Sequence, residues 1–179
     1  MDYTEKTLRR VNTYKGIIVD VQTDMIELPN GNITMREVVR HPGGVCVAAV
    51  DEAGVVTLVR QYRYPFAAHL LELPAGKLEP GEDPLEAARR ELSEETGLEA
   101  DTWTELGALY TSPGFSTETL YLYLATGLHR GQAHPDPNEF LDVVTMPLGE
   151  LLRRIDAGEV RDAKTVAGAL RAERALRGN

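Results

Sequence analysis

Hydrophobic and polar positions alternate over residues 14–27, where Ile17, Val19 and Val21 share one phase, and this pattern predicts a strand. Pro29-Asn30-Gly31-Asn32 follows, and Asn-Gly accepts the positive φ that a tight hairpin turn needs, so residues 33–40 are expected to return as its partner. Two apolar runs, Gly44–Val50 and Val55–Gln61, flank an Asp-Glu-Ala-Gly turn and predict a second, more buried hairpin. His69–Leu73 reads as a short strand, and Pro74, Gly76, Pro80 and Gly81 mark residues 74–83 as loop. Further strands are expected near 103–111, 119–126 and 139–146, with helices over Leu148–Ala157 and Lys164–Arg177.

One more helix has both ends written in the chain. Asp83 suits the N-cap, Pro84 the first helical position, Glu86 the capping-box spacing, and Gly97 the C-terminal stop. The helix is therefore expected at about 84–96, with Leu85, Ala88, Leu92 and Thr96 on its core face. Strands fill the first two thirds and helices the end, without regular βα alternation. That order predicts an α+β or mixed-sheet sandwich rather than a doubly wound sheet.

Composition narrows the class. The chain has 179 residues, 42% apolar and 26% charged, with a net charge of −9. This suits one folded domain with a small appendage. No apolar run reaches the roughly 18 residues of a membrane span, and the N-terminus MDYTEKTLRR lacks the apolar core of a signal peptide. A single cysteine, Cys46, cannot build a disulfide framework, so a cytoplasmic protein without membrane partners is expected. The acidic balance argues against a protein that coats nucleic acid.

The acid is concentrated. Residues 76–98 carry seven acidic and three basic side chains. On the expected helix Glu91, Glu94 and Glu95 fall within about 100° of one another, where like charges repel. Hard divalent cations such as Mg²⁺ or Mn²⁺, completed by phosphate oxygens, would relieve that repulsion. Arg90 lies off this arc and could orient one carboxylate through a bidentate pair. A solvated helix laced with Arg–Glu pairs accounts for the spacing equally well.

The wider spacing is more specific. Gly76, five residues, Glu82, seven residues, Arg90-Glu91-Leu92, one residue, Glu94-Glu95, one residue and Gly97-Leu98 resemble the box of the Nudix hydrolases at every defined position. The resemblance implies an α/β/α sandwich around a mixed sheet, and a loop–helix–loop that binds two or three Mg²⁺ (or Mn²⁺) ions and hydrolyses a substituted diphosphate. By position it implies that Glu91 and Glu95 are principal metal ligands, with Glu94 close behind and the carbonyl of Ala75 as a further ligand. It makes Glu82 and Arg90 supports of helix and loop, Arg90 beside the catalytic groups. Gly76 and Gly97 are expected to supply backbone conformations closed to most residues.

Outside the box, Pro113 lies 16 residues after Gly97 within Ser112-Pro113-Gly114-Phe115-Ser116-Thr117-Glu118. This run, together with Arg60–Pro65 and Leu71–Lys77, is similar to the ADP-ribose pyrophosphatase subgroup. The implied reaction is hydrolysis of ADP-ribose to AMP and ribose 5-phosphate. Alternatives are another nucleoside diphosphate sugar such as GDP-mannose, or a non-catalytic ADP-ribose sensor. Arg63 is a candidate phosphate clamp, since a planar bidentate donor suits a diphosphate. Glu118 is either a ribose contact or surface, and Pro113-Gly114 alone is a turn. Tyr62, Tyr64, Phe66 and Trp103 are either adenine stackers or, more commonly for such residues, core. His41 and His69 read as structural.

Relatives carry a glutamate in the loop that contains Glu139, which marks Glu139 as the implied general base, with Glu94 and Glu95 as rivals. Residues 1–40 resemble a small β-domain preceding the catalytic domain of 41–179. The resemblance implies that this segment reaches across a homodimer, where Tyr14, Glu37 and Arg40 of one subunit would touch the nucleotide of the other.

Overall fold

The computed structural model describes residues 2–131 and 140–178. They form two compact units, one of Met1–Gly43 with Tyr110–Thr119, the other of Gly44–Leu109 with Leu120–Asn179.

The first unit is built on a three-stranded antiparallel sheet: β1 (Lys6–Lys15), β2 (Asp20–Glu27) and β3 (Ile33–Arg40), in that order. The single strand expected over 14–27 is divided. Gly16 donates its N–H to the Val19 carbonyl at 2.8 Å, so Ile17 to Val19 form an exposed turn rather than an alternating strand. Strand β1 gave no hydrophobic signal because all ten of its residues are exposed. The turn after β2 falls at the Asn-Gly pair as expected, but it is a five-residue loop, Glu27 pairing with Ile33. Gly31 takes a φ of 84° there, a region costly for a side chain. The 110–119 segment is held to β3 by Val39, whose N–H donates to Phe115 O and whose carbonyl accepts from Thr117 N.

The second unit carries the larger sheet: β4 (Gly44–Val50), β5 (Val55–Arg63), β6 (Ala68–Glu72), β7 (Ala75–Lys77), β8 (Leu98–Tyr110), β9 (Thr119–Arg130) and β10 (Leu141–Pro147). Strand order is β10-β5-β4-β9-β8, with β6 paired to β5 and β7 to β4. The β4–β9 pair is parallel whereas β4–β5, β5–β6, β5–β10 and β4–β7 are antiparallel, so the sheet is mixed. Strand β7 corrects the expectation of uninterrupted loop over 74–83. Three residues are too few to show a period, yet they pair with Gly44–Cys46, and Pro74 O accepts from Val47 N at 2.9 Å.

Every residue of β4 is buried, and its side chains alternate between two cores. Val45, Val47 and Ala49 pack with Ala87, Ala88 and Leu92 of α1 (Pro84–Thr96). Cys46, Ala48 and Val50 pack with Leu148 and Leu151 of α2 (Leu148–Asp156) and with Ala169 and Ala172 of α3 (Ala163–Leu176). A mixed sheet with helices on both faces is the α/β/α sandwich that the resemblance implied. Among the described residues no helix is long and apolar enough to cross a membrane.

Helix α1 begins and ends as its sequence dictates. The Asp83 carboxylate accepts from Leu85 N and Glu86 N, and Gly97, at φ 68°, donates its N–H to Ser93 O. Its buried face is turned from the expected one. Ala88 and Leu92 are buried, but so are Ala87, Glu91 and Glu95, whereas Leu85 and Thr96 are half-buried.

Candidate active site

Helix α1 packs directly against the short strand β7, and this brings the box carboxylates onto backbone. The Ala75 N–H donates to Glu95 Oε2 at 3.0 Å. Glu91 lies so close to Gly76 that a Cβ there would overlap its carboxylate. Glu91 and Glu95 are 8% and 6% exposed, which excludes the reading of both as a solvated helix face. The requirement for glycine at 76 is therefore one of space. Gly76 sits in strand β7 and is not among the positive-φ glycines, whereas Gly97 supplies the conformation expected of it.

Arg90 reaches more partners than the single carboxylate expected. Its Nε and Nη2 form a fork on Glu82 at 2.9 and 3.0 Å. Its Nη1 donates to Glu91 Oε1 at 2.8 Å and Glu94 Oε2 at 2.9 Å, and Nη2 also donates to the Lys77 carbonyl at 3.2 Å. One guanidinium thus balances three carboxylates and ties the helix to the loop before it. The Arg90 hydrogen bonds hold Glu82 below its ordinary pKa, while donating to Glu82, and then to Glu91 and Glu94, raises that of Arg90.

The donor chemistry fits a hard divalent cation. Glu91, Glu94 and Glu95 offer carboxylate oxygens and Ala75 a backbone carbonyl, the all-oxygen set preferred by Mg²⁺ and Mn²⁺. Among the described residues no three acidic, histidine or cysteine side chains already stand as a ligand group.

A second charged cluster was not foreseen. Glu72 ends β6 at 1% exposure, with Arg63 Nε and Nη2 donating to its two oxygens at 2.7 Å each and Lys164 Nζ to its Oε2. Lys164 also pairs with Asp162 at 3.0 Å, and Asp162 caps α3 through Thr165 N. Thr165 Oγ1 accepts from Leu73 N at 2.9 Å and donates to Asp162 Oδ2 at 2.6 Å. Burial pushes the Glu72 carboxyl up, but the Arg63 hydrogen bonds and the Lys164 charge outweigh it and hold the group below the ordinary carboxylate value. The available signal was a lone glutamate inside the apolar run Leu70-Leu71-Glu72-Leu73.

Other candidates have definite surroundings. Trp103 is half-buried, edge-on to Tyr123 at 6.4 Å and under Arg89 at 5.1 Å, so it is packed. Tyr62, Tyr64 and Phe66 are exposed rather than core. In the first unit Pro113 lies in a turn whose Ser112 carbonyl accepts from Phe115 N and Ser116 N. Glu118 accepts from Thr111 Oγ1 at 2.6 Å, and Arg40 Nε donates to Gln22 Oε1 at 2.9 Å. Glu37 is exposed on β3, opposite Thr23 of β2, and His41 Nδ1 accepts from Gly43 N. Glu139 lies outside the described residues.

The comparisons agree with this geometry. Residues 40–168 match the NUDIX domain. The chain is 43% identical over 166 residues to the methanol dehydrogenase activator of Bacillus methanolicus, spanning 92% of this chain and 90% of that protein. It is 42% identical over 163 residues to the ADP-ribose pyrophosphatase of Bacillus subtilis (strain 168), spanning 90% and 88%. A crystal structure of an ADP compounds hydrolase matches at a TM-score of 0.86 and 24% identity over 97% of this chain and 95% of that one, a likeness of fold. With its box complete in sequence and assembled on α1 and β7, the chain belongs to the NUDIX family.

Proposed function

We propose that this chain is a metal-dependent hydrolase that splits the diphosphate of ADP-ribose into AMP and ribose 5-phosphate. The observation that carries the reading is the burial of Glu91 and Glu95 against the Ala75–Gly76 backbone. The two acids place carboxylate oxygens at the box backbone, the donor type that hard divalent cations prefer. Identity of 42% to a relative named for ADP-ribose pyrophosphate hydrolysis supports the substrate.

The residues divide the work. Glu91, Glu94, Glu95 and the Ala75 carbonyl would hold two or three Mg²⁺ or Mn²⁺ ions, which when bound neutralise the diphosphate and acidify a water. Glu82 and Arg90 fix the loop to the helix so that these ligands keep their places. Glu139 takes the proton of the attacking water, with Glu94 and Glu95 as the rival bases. Arg63 clamps a phosphate, Glu118 accepts a ribose hydroxyl, and Pro113 shapes the turn that carries it.

The dimer belongs to the same reading. Strand β1 is exposed throughout, and Leu8, Val11, Tyr14 and Ile17 place apolar surface on and beside it. Exposed apolar surface and an unpaired strand edge suit a second copy of the chain, with Glu37 and Arg40 reaching the partner's nucleotide. The one cysteine, Cys46, is buried in the sandwich, which suits a reducing cytoplasm.

The identity to a methanol dehydrogenase activator favours one second reading, in which the chain acts on a partner dehydrogenase. Incubating the purified chain with ADP-ribose, GDP-mannose and either metal, and separating the products, tests the hydrolase reading, and the activity of a methanol dehydrogenase with and without the chain tests the second. The proposal expects AMP and ribose 5-phosphate from ADP-ribose. Tight ADP-ribose binding without turnover would favour a sensor.

A further inference from the structure

Arg63 and Glu72 form a fork whose two ends differ in exposure. The Glu72 side chain is 1% exposed and the Arg63 side chain 38%. Glu72 uses both oxygens on Arg63 and shares Oε2 with Lys164, so its acceptors are filled by two cations. The Arg63 Nη1 edge is the part of the guanidinium that this fork does not use.

The position of this fork connects it to the box. Glu72 lies three residues before Ala75, whose N–H is bonded to Glu95. The hydrogen bonds to Glu72 chiefly raise the pKa of Arg63 against the effect of burial, and the Glu95 charge adds to them in small part. Lys164 anchors Glu72 from the other side. It is paired to Asp162 at the start of α3, and Thr165 of the same turn holds Leu73 N. Glu72 is thus fixed by two elements, β6 and α3, and Arg63 by Glu72.

A buried ion pair adds little stability over apolar residues of the same size, so a simple clasp between α3 and the sheet gives weak reason for a desolvated carboxylate here. A planar donor held by one edge, with its other edge outside that fork, is pre-organised for an anionic ligand. We propose that Glu72, braced by Lys164, is a positioning residue that aims Arg63 at the diphosphate. This rests on the diphosphate hydrolase reading given above, but does not depend on the groups attached to the diphosphate.

The test is a double-mutant cycle on binding of inorganic pyrophosphate with Mg²⁺, measured by calorimetry for wild type, Glu72→Gln, Arg63→Ala and the double variant. Glu72→Gln is expected to weaken Kd by about 10-fold alone, the worth of a charge-assisted hydrogen bond, and by less than about 2-fold when Arg63 is already alanine. Equal weakening in both backgrounds, or none, would overturn the proposal, because a merely structural role does not depend on Arg63. Thermal melts of all four run alongside. If Glu72→Gln does not fold, the same cycle with Glu72→Asp decides on the same criterion. Failure of wild type to bind pyrophosphate also overturns the proposal. Binding without cleavage of ADP-ribose contradicts the substrate reading alone.

Discussion

Gly76 and Glu91 compete for one space: a methyl group added at Gly76 would overlap the Glu91 carboxylate. The obstacle is the far end of a flexible side chain, so Gly76→Ala has a cheap escape in which Glu91 swings away. The variant is expected to melt within a few degrees of wild type while kcat falls by about 10-fold or more, as displaced metal-site groups commonly cause. Melting curves and turnover of the same preparation check this. Equal loss of both would mean that the strand itself had been displaced.

Arg90 is a counter-charge of Glu82, Glu91 and Glu94. Arg90→Ala leaves these acids facing one another, so the melting temperature in chelator should fall. Added Mg²⁺ should then raise it by more in the variant than in wild type, since a ligand that binds only the folded state stabilises it. Thermal melts across a Mg²⁺ titration read the difference directly.

The Glu72 cluster predicts the acid limb of stability. Its folded pKa is lowered, so on acidification the unfolded chain takes the proton first. Its contribution is complete above the ordinary glutamate value of about 4.3 and is lost as pH falls through the lower folded value. Lys164 is shifted the other way: burial lowers its pKa, but Asp162 and then Glu72 outweigh that and leave it raised. Its contribution persists below its ordinary value of about 10.4 and is lost only as pH rises through the folded value. Glu72→Gln should therefore flatten part of the fall in melting temperature below about pH 4. Melts from acid to neutral pH in wild type and variant provide the check.

The two ends of helix α1 were legible because its caps are local. Asp83, Pro84 and Gly97 each act within one turn of the chain. The box was legible for a similar reason, since its spacing lies along one loop and one helix. What could not be read was whatever depends on distant partners. Strand β7 is three residues defined by pairing with β4, and β1 is a strand without a buried face. Glu72 finds one partner nine residues away and another 92 residues away. Burial of Glu91 and Glu95 likewise follows from packing on β7, which no helical wheel contains.

The central claim is that the box carboxylates carry metal-dependent cleavage of ADP-ribose, and turnover by wild type and Glu95→Gln in Mg²⁺ tests it most directly. The account predicts AMP and ribose 5-phosphate from wild type, no product in chelator, and a loss of at least about 100-fold in kcat for a variant that still folds. A folded Glu95→Gln enzyme that keeps wild-type turnover in Mg²⁺ would contradict it.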